Sequence, residues 1–324
     1  MSPLKSQDDK DLLVEVSVMY YLEGMTQSDI AKNLYMSRPK VSRLLQKAKK
    51  ENIVDIRINY DTNEFFRIKR RMLQLFKVDN VIVVKTLKNQ EATIREIGYA
   101  ASNELKYQLT DNMTIGMSWG RTIKHTVDAF KPKTFKNIHV VELFGAVDYR
   151  EDRPDMLSIG FNFSKKIGGT YFPLPAPVFI QNNDTYKAIV ENPLIKNTIK
   201  AIDDCDLIMT GLGAINTKAP QKIWDSYVDF DAKNDIINAG GLGYICARFF
   251  DQDGQFINHK LNKNVIGIQT TKIKKNNLFI VAGGLYKWQA IHAFLKDGHV
   301  NTLVCDDKTL KKILNAQEQE NRNE

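Results

Sequence analysis

A chain of 324 residues with 43% hydrophobic and 26% charged side chains has apolar material for a small domain plus a large one. Its three cysteines, Cys205, Cys246 and Cys305, form no CxxC pair, and no His/Cys group has zinc-ligand spacing. This speaks against a disulfide scaffold or a metal site and for a reducing compartment. No apolar run approaches the roughly 20 residues that span a bilayer, and the start, MSPLKSQDDKD, is unlike a signal peptide, so no membrane partner and a cytoplasmic location are expected.

Leu12, Leu13, Val16, Met19 and Tyr20 recur at helical spacing and predict a first helix over 8–22, stopped by Gly24. Thr26 is a cap for a second helix over 27–34, with Asp29 at its positive end. Ile30, Ala31 and Leu34 share one face, and Ala31 is small enough for a close crossing. Tyr35 and Met36 make a short turn. Ser37 caps a third helix with Pro39 in its first turn, and Val41, Leu44, Leu45 and Ala48 supply its core face.

Two short helices joined by a tight turn form a helix-turn-helix. Between 32 and 57 eight bases face two acids, a local +6 within a chain of net charge +8. A basic patch on this motif points to double-stranded operator DNA. The alternative is a plain three-helix bundle with exposed bases. The candidate DNA-binding residues are Thr26, Gln27, Ser37, Arg38, Lys40, Ser42, Arg43 and Lys47. Arg38 and Arg43 suit guanine, Lys40 suits a phosphate as well as a base, and Lys47, Lys49 and Lys50 suit the backbone.

Residues 53–58 alternate like a strand and predict a small wing. A turn-rich stretch over 59–63 then sets the boundary between domains 1–60 and 61–324. Phe65, Phe66, Ile68, Met72, Leu73, Leu75 and Phe76, interleaved with bases, read as a joining helix. Its apolar face can meet a second subunit or its own large domain.

From Asn80 the pattern alternates. Strands are predicted over 81–84, 113–117, 138–143, 207–210, 236–237, 265–266, 278–281 and 302–304, with a helix over 91–107 and others between. This is an α/β fold with a mainly parallel sheet covered on both faces.

Ligands in such sheets bind beyond the carboxyl ends of strands. Four places there carry small or polar residues: Ser118, Trp119, Gly120, Arg121 and Thr122; Gly211 and Gly213; Gly240, Gly241 and Gly243; and Gly283, Gly284 and Lys287. The first precedes a helix and suits a phosphate. Each cluster alone is equally a tight turn. No dinucleotide fingerprint or P-loop occurs, and the five histidines form no ligand pair.

In their order and spacing, the segments GMTQSDIAKNLYMSRPKVSRLLQKAKKENIV, TIGMSWGRTI, GGTYFPLPAP, GLGAI, GGLGYICARFFDQDG and VAGGLYKWQAIHAFLKDGHVNTLVCDD resemble the SorC family of bacterial sugar-responsive transcriptional regulators over nearly the whole chain. The resemblance implies an effector domain similar to sugar-phosphate isomerases but used for sensing, a phosphorylated sugar as effector, and a tetramer. It implies a phosphate at Ser118, Trp119, Gly120, Arg121 and Thr122, and a pocket lined by Gly211, Gly213, Gly240, Gly241 and Lys287, with Gly283 and Gly284 beside it. One position departs: where the family carries an acid after the glycine matching Gly243, this chain has Tyr244. That predicts a bulkier or less hydroxylated effector, or a ring stacked on Tyr244, unless Tyr244 turns away and packs.

The expected protein is therefore an effector-gated DNA binder with no catalytic residue, metal or cofactor. An isomerase-like enzyme would need a base, for which Glu142, Asp148, Asp251 and Asp253 are the candidates, the last two in a DxDG turn read as ending a helix. A nicotinamide-dependent regulator is opposed by the broken fingerprint at Gly241, with Cys246 in place of the third glycine.

Overall fold

The computed structural model describes residues 3–56, 62–146, 159–215 and 230–323. The chain divides into two units, Met1–Tyr60 and Asp61–Glu324.

In the first unit, α1 (Pro3–Tyr21) buries Leu13 and Val16. The hydroxyl of Thr26 starts α2 (Gln27–Asn33) by accepting from the Asp29 amide at 3.2 Å and donating to the Asp29 carboxylate at 2.6 Å. Ile30 and Ala31 are buried against Val16 and against Val41 and Leu45 of α3 (Arg38–Lys50). Ser37 stands at the start of α3 in extended geometry, but its side chain makes no capping bond, contrary to expectation. Tyr35, in the turn, has φ +51° and is 98% exposed.

The expected wing does not form in the described part of 53–58. The amides of Ile53 and Val54 both bond to the Ala48 carbonyl, which finishes α3, and residues 54–56 are irregular. Arg57 and Ile58 lie outside the described residues.

In the second unit α4 (Thr62–Leu75) leads into β1 (Val78–Val84), α5 (Gln90–Gln108), β2 (Thr114–Met117), α6 (Arg121–Ala129) and β3 (His139–Glu142). After these come α7 (Ile159–Ile167), β4 (Thr170–Phe172), α8 (Asn183–Val190), α9 (Pro193–Asp203), β5 (Leu207–Thr210), β6 (Gly213–Ala214) and α10 (Phe230–Asn238). The rest is β7 (Gly243–Ile245), β8 (Arg248–Phe250), α11 (Lys260–Lys263), α12 (Thr270–Ile273), β9 (Asn277–Val281), α13 (Trp288–Lys296), β10 (Val300–Asp306) and α14 (Asp307–Asn323).

Among the described residues seven strands form one parallel sheet in the order β1-β10-β9-β5-β2-β3-β4. Its strands are apolar on both faces, as a sheet covered by helices requires. Ile115, Met117, Leu207, Met209, Phe279 and Val281 face a core shared with Ile97, Ile123, Val127 and Phe163 of α5, α6 and α7. Ile208, Leu278, Ile280, Leu303 and Cys305 face the other core with Met72, Ile291, Phe294 and Leu310. The three cysteines are buried thiols without disulfides.

The joining helix α4 packs on β1 and α14 of its own unit. Glu64 pairs with Lys311 at 2.6 Å, Arg71 pairs with Glu318, and Lys69 donates to Asn80 at 2.7 Å. Phe66 and Leu73 stay exposed.

Three expectations need correction. Ile236 and Ile237 lie in α10 rather than in a strand. Val265 and Ile266 are in no strand; Val265 makes an isolated bridge to Phe179. The DxDG turn follows the strand β8 rather than a helix: the Asp251 carboxylate accepts from the amides of Asp253 and Gln255, both at 2.9 Å. A small antiparallel sheet, β6-β7-β8, was not expected at all.

Candidate effector site

The sheet order locates the site. From β2 the chain runs outward through β3 to β4; from β5 it runs the other way through β9 to β10. The reversal falls between the neighbours β2 and β5, and ligands of open α/β sheets bind at such a switch point, outside the carboxyl ends of the strands. The loops that leave β2, β5 and β9 carry three of the four expected clusters, and these strands are adjacent in the sheet.

The loops are tied together there. The Ser118 hydroxyl accepts from the Gly211 amide at 3.3 Å, and the Thr122 hydroxyl donates to the Val281 carbonyl at 3.1 Å. Both residues are buried. Their oxygens therefore shape the site, and the Thr122 hydrogen is already spent on backbone. Trp119 packs edge-on against Phe144 at 5.3 Å.

Gly120 starts α6 with φ +149°, and a Cβ there would meet nothing within 4 Å. The glycine thus lets the chain turn sharply and leaves open space beside its own position at the start of the helix. Free N–H groups and the helix dipole at such an end favour an anion.

Two cations stand on the loops that leave β2 and β9. Lys287 ends a 3-10 turn (Leu285–Lys287) after β9 and donates to the Leu212 carbonyl at 2.9 Å. Burial, with the charge of Arg121 adding to it, lowers the Lys287 ammonium to about 8. Arg121 is half-exposed and lies 3.8 Å from Glu91, which also meets His125 at 2.8 Å. Gly283 and Gly284 are fixed by a buried carboxylate: Asp306 accepts from the Gly284 amide at 2.7 Å and from Thr86, Thr309 and the Thr309 amide.

The fourth cluster is placed differently. Gly240 and Gly241 follow the helix α10 rather than a strand, and Gly241 packs on Ile236 and Ile215. Gly213 and Tyr244 are partners across β6 and β7. The Tyr244 ring lies over Gly213, at partial exposure.

Of the expected bases of an isomerase, Glu142 and Asp251 already accept hydrogen bonds. Glu142 accepts from the Tyr171 hydroxyl and from the Leu174 amide at 2.9 Å; burial raises its pKa against those two bonds. Asp148 lies outside the described residues. Among the described residues no group of three or more His, Cys, Asp or Glu is placed to hold a metal. No described helix is long and apolar enough to cross a membrane.

Sequence reasoning missed Glu91, which pairs with Arg121 from the first turn of α5, a helix end that meets the site only in three dimensions.

In the first unit Thr26, Ser37, Arg38, Lys40, Arg43 and Lys47 are exposed, and Gln27 and Ser42 partly so. Arg43 donates to the Pro39 carbonyl at 3.4 Å, and Lys47 lies 3.8 Å from Glu51.

Comparison with known proteins fits this picture. The sugar-binding domain family (Sugar-bind) matches residues 60–315. The erythritol catabolism regulatory protein EryD of Brucella abortus is 24% identical over 309 residues, covering 94% of this chain and 97% of that protein. The deoxyribonucleoside regulator of Bacillus subtilis is 25% identical over 311 residues, covering 95% and 99%. The crystal structure of the full-length sorbitol operon regulator SorC from Klebsiella pneumoniae superposes with a TM-score of 0.77 at 23% identity, covering 94% of this chain and 99% of that one.

Proposed function

The chain belongs to the sugar-binding domain family of SorC-type transcriptional regulators, and from that premise we propose that it binds double-stranded operator DNA under the control of a phosphorylated carbohydrate metabolite. The observation that carries the effector half is the placement of two cations, Arg121 at the start of α6 and Lys287 in the turn after β9, on loops that leave adjacent parts of the sheet at its switch point. The Lys287 ammonium, held down by burial and by the Arg121 charge, gains most from a dianion. The DNA half rests on α2 and α3, whose exposed Arg38, Lys40 and Arg43 stand at the start of the second helix.

A sensing role rather than turnover is supported by the state of the acids. Glu91, Glu142, Asp251 and Asp306 each already accept hydrogen bonds or ion pairs within the protein. The relatives' names mention erythritol, sorbitol and deoxyribonucleosides, so the effector is assigned by class.

The effector would act by binding two arrangements of a homotetramer unequally and shifting their populations. Such a regulator works in the cytoplasm, where its operator is.

A thermal-shift screen of phosphorylated against free sugars tests this directly. A ligand at a hundred times its Kd adds about 2.7 kcal/mol. Hits confined to phosphorylated compounds, which then change operator binding, support the proposal. Shifts by free sugars alone would remove the phosphate from it.

A further inference from the structure

Helix α2 closes on a residue ill suited to the backbone it adopts. The amide of Tyr35 bonds to the Lys32 carbonyl at 3.2 Å and that of Met36 to the Ala31 carbonyl at 2.9 Å, a paired closure that holds Tyr35 in the left-handed region at φ +51°. Glycine is the usual residue there, because a Cβ crowds the following carbonyl, and a bulky side chain at such a φ is an outlier. Asn52, Asn112 and Asn137, also at positive φ, carry the short polar side chain that tolerates it. Tyr35 does not.

Burial of the ring does not offset this strain. Leu34 and Met36, on either side, lie against the core of Val16, Ile30 and Val41. Between these two anchored side chains the Tyr35 side chain turns outward, where it is 98% exposed. Strained residues of this kind cluster at functional positions. Here the position is the turn of the helix-turn-helix, just ahead of the Ser37–Arg38 start of α3. In that motif the first helix crosses the nucleic-acid backbone and the second enters the major groove. The turn that joins them therefore runs along the edge of the groove, where the phosphates lie.

We propose that Tyr35 is a DNA contact, its hydroxyl donating a hydrogen bond to a backbone phosphate at the edge of the groove that α3 enters. Tyrosine is among the side chains that hold phosphates, and such a contact fixes register without reading sequence. The inference rests on the DNA-binding reading above and adds to it a residue without charge, which a search for basic side chains passes over. Stability and binding then oppose each other at one position: glycine suits the fold and tyrosine suits the DNA.

The test is fluorescence anisotropy of the full-length protein with a labelled mixed-sequence DNA duplex across a salt series, with thermal melts of the same proteins. A phosphate contact needs no operator, so the mixed duplex is a sufficient probe. Tyr35→Phe should weaken binding about tenfold, as loss of a hydrogen bond to a charged group does. Its salt slope should stay unchanged, since a neutral hydroxyl displaces no counterion. Tyr35→Gly should weaken binding at least as much, with a melting temperature equal to or above that of the wild type. Unaltered affinity in Tyr35→Phe overturns the proposal. So does a salt slope lowered by about one, which would mean that Arg38 or Lys40 has been displaced instead. A lower melting temperature for Tyr35→Gly would show that the ring serves the fold, and overturns it as well. Failure of the wild type to bind the duplex would remove the DNA-binding reading itself, and this inference with it.

Discussion

Tyr244 lies across Gly213 on the neighbouring strand, so close that a Cβ at residue 213 would fall 2.0 Å from the ring's Cζ. The glycine is therefore the seat of the ring. Gly213→Ala must displace Tyr244, and overpacking of this kind costs about 1–3 kcal/mol. In a Tyr244→Ala background the three atoms nearest to the added methyl are gone, and the same substitution should cost clearly less. Chemical denaturation of the four proteins gives the coupling. Equal costs in both backgrounds would show that the strand, not the ring, excludes the side chain.

This relationship also marks what could be read from the sequence. The strands β1, β2, β5, β9 and β10 were legible because strands buried on both faces read as unbroken apolar runs, such as Leu207, Ile208 and Met209. The first unit was legible through Thr26 and through Pro39 in the opening turn of α3. The sheet β6-β7-β8 was not, since its strands are two or three residues long and Gly213 looks like a turn glycine until Tyr244 is seen above it. Ile236 and Ile237 carry a β-branched signal, but the structure puts them in α10, with Ile236 against Gly241. Short apolar pairs do not separate strand from helix. The loops after β2, β5 and β9 were marked by their residues; that they meet is a property of strand order, which local sequence does not encode.

Lys287 predicts proton uptake on effector binding. Its ammonium is lowered to about 8 by burial and by Arg121, and a bound dianion raises it. Near pH 8 the free protein is partly deprotonated at this group, so binding takes up a fraction of a proton, and affinity falls as pH rises above about 8. The other groups facing it titrate elsewhere: burial pushes the Cys305 thiol well up and raises Tyr286. A phosphate monoester, with a second pKa of about 6, is already dianionic there. Without ligand the sign is also set. An unfolded lysine titrates near 10.4, so between about 8 and 10.4 the unfolded chain binds more protons and stability rises with pH. Titrations in buffers of different ionisation enthalpy measure the uptake. Lys287→Met should abolish it along with binding, and equal heats in all buffers for wild type would take Lys287 out of the site.

Lys166 ends a helix to which it does not belong. From α7 it donates to the carbonyls of Val127 and Asp128, both at 2.8 Å, and of Phe130 at 3.0 Å, the last turn of α6. A cation satisfying the open carbonyls at a helix C-terminus is favourable by charge and by hydrogen bonding. Lys166→Met keeps the stem and removes the bonds; it should cost about 2 kcal/mol, with Lys166→Arg recovering part of it. The loss is read from denaturant midpoints, and a change below about 0.5 kcal/mol would mean that water replaces the ammonium without penalty.

The bases of α3 should separate into two kinds. Arg38 is exposed at the start of the helix, whereas Lys47, Lys49 and Lys50 occupy its last turn. A residue at the start of a recognition helix reaches base edges, and one near the end reaches phosphates. Arg38→Ala should therefore lower operator affinity by about 1–3 kcal/mol and reduce the gap between operator and random DNA. Lys49→Ala should weaken binding to both alike and lower the salt slope by about one. Fluorescence anisotropy across a salt series resolves the two effects. If Arg38→Ala weakens operator and random DNA equally, then Arg38 holds the backbone, and Arg43 is the remaining arginine in this part of α3 to carry base reading.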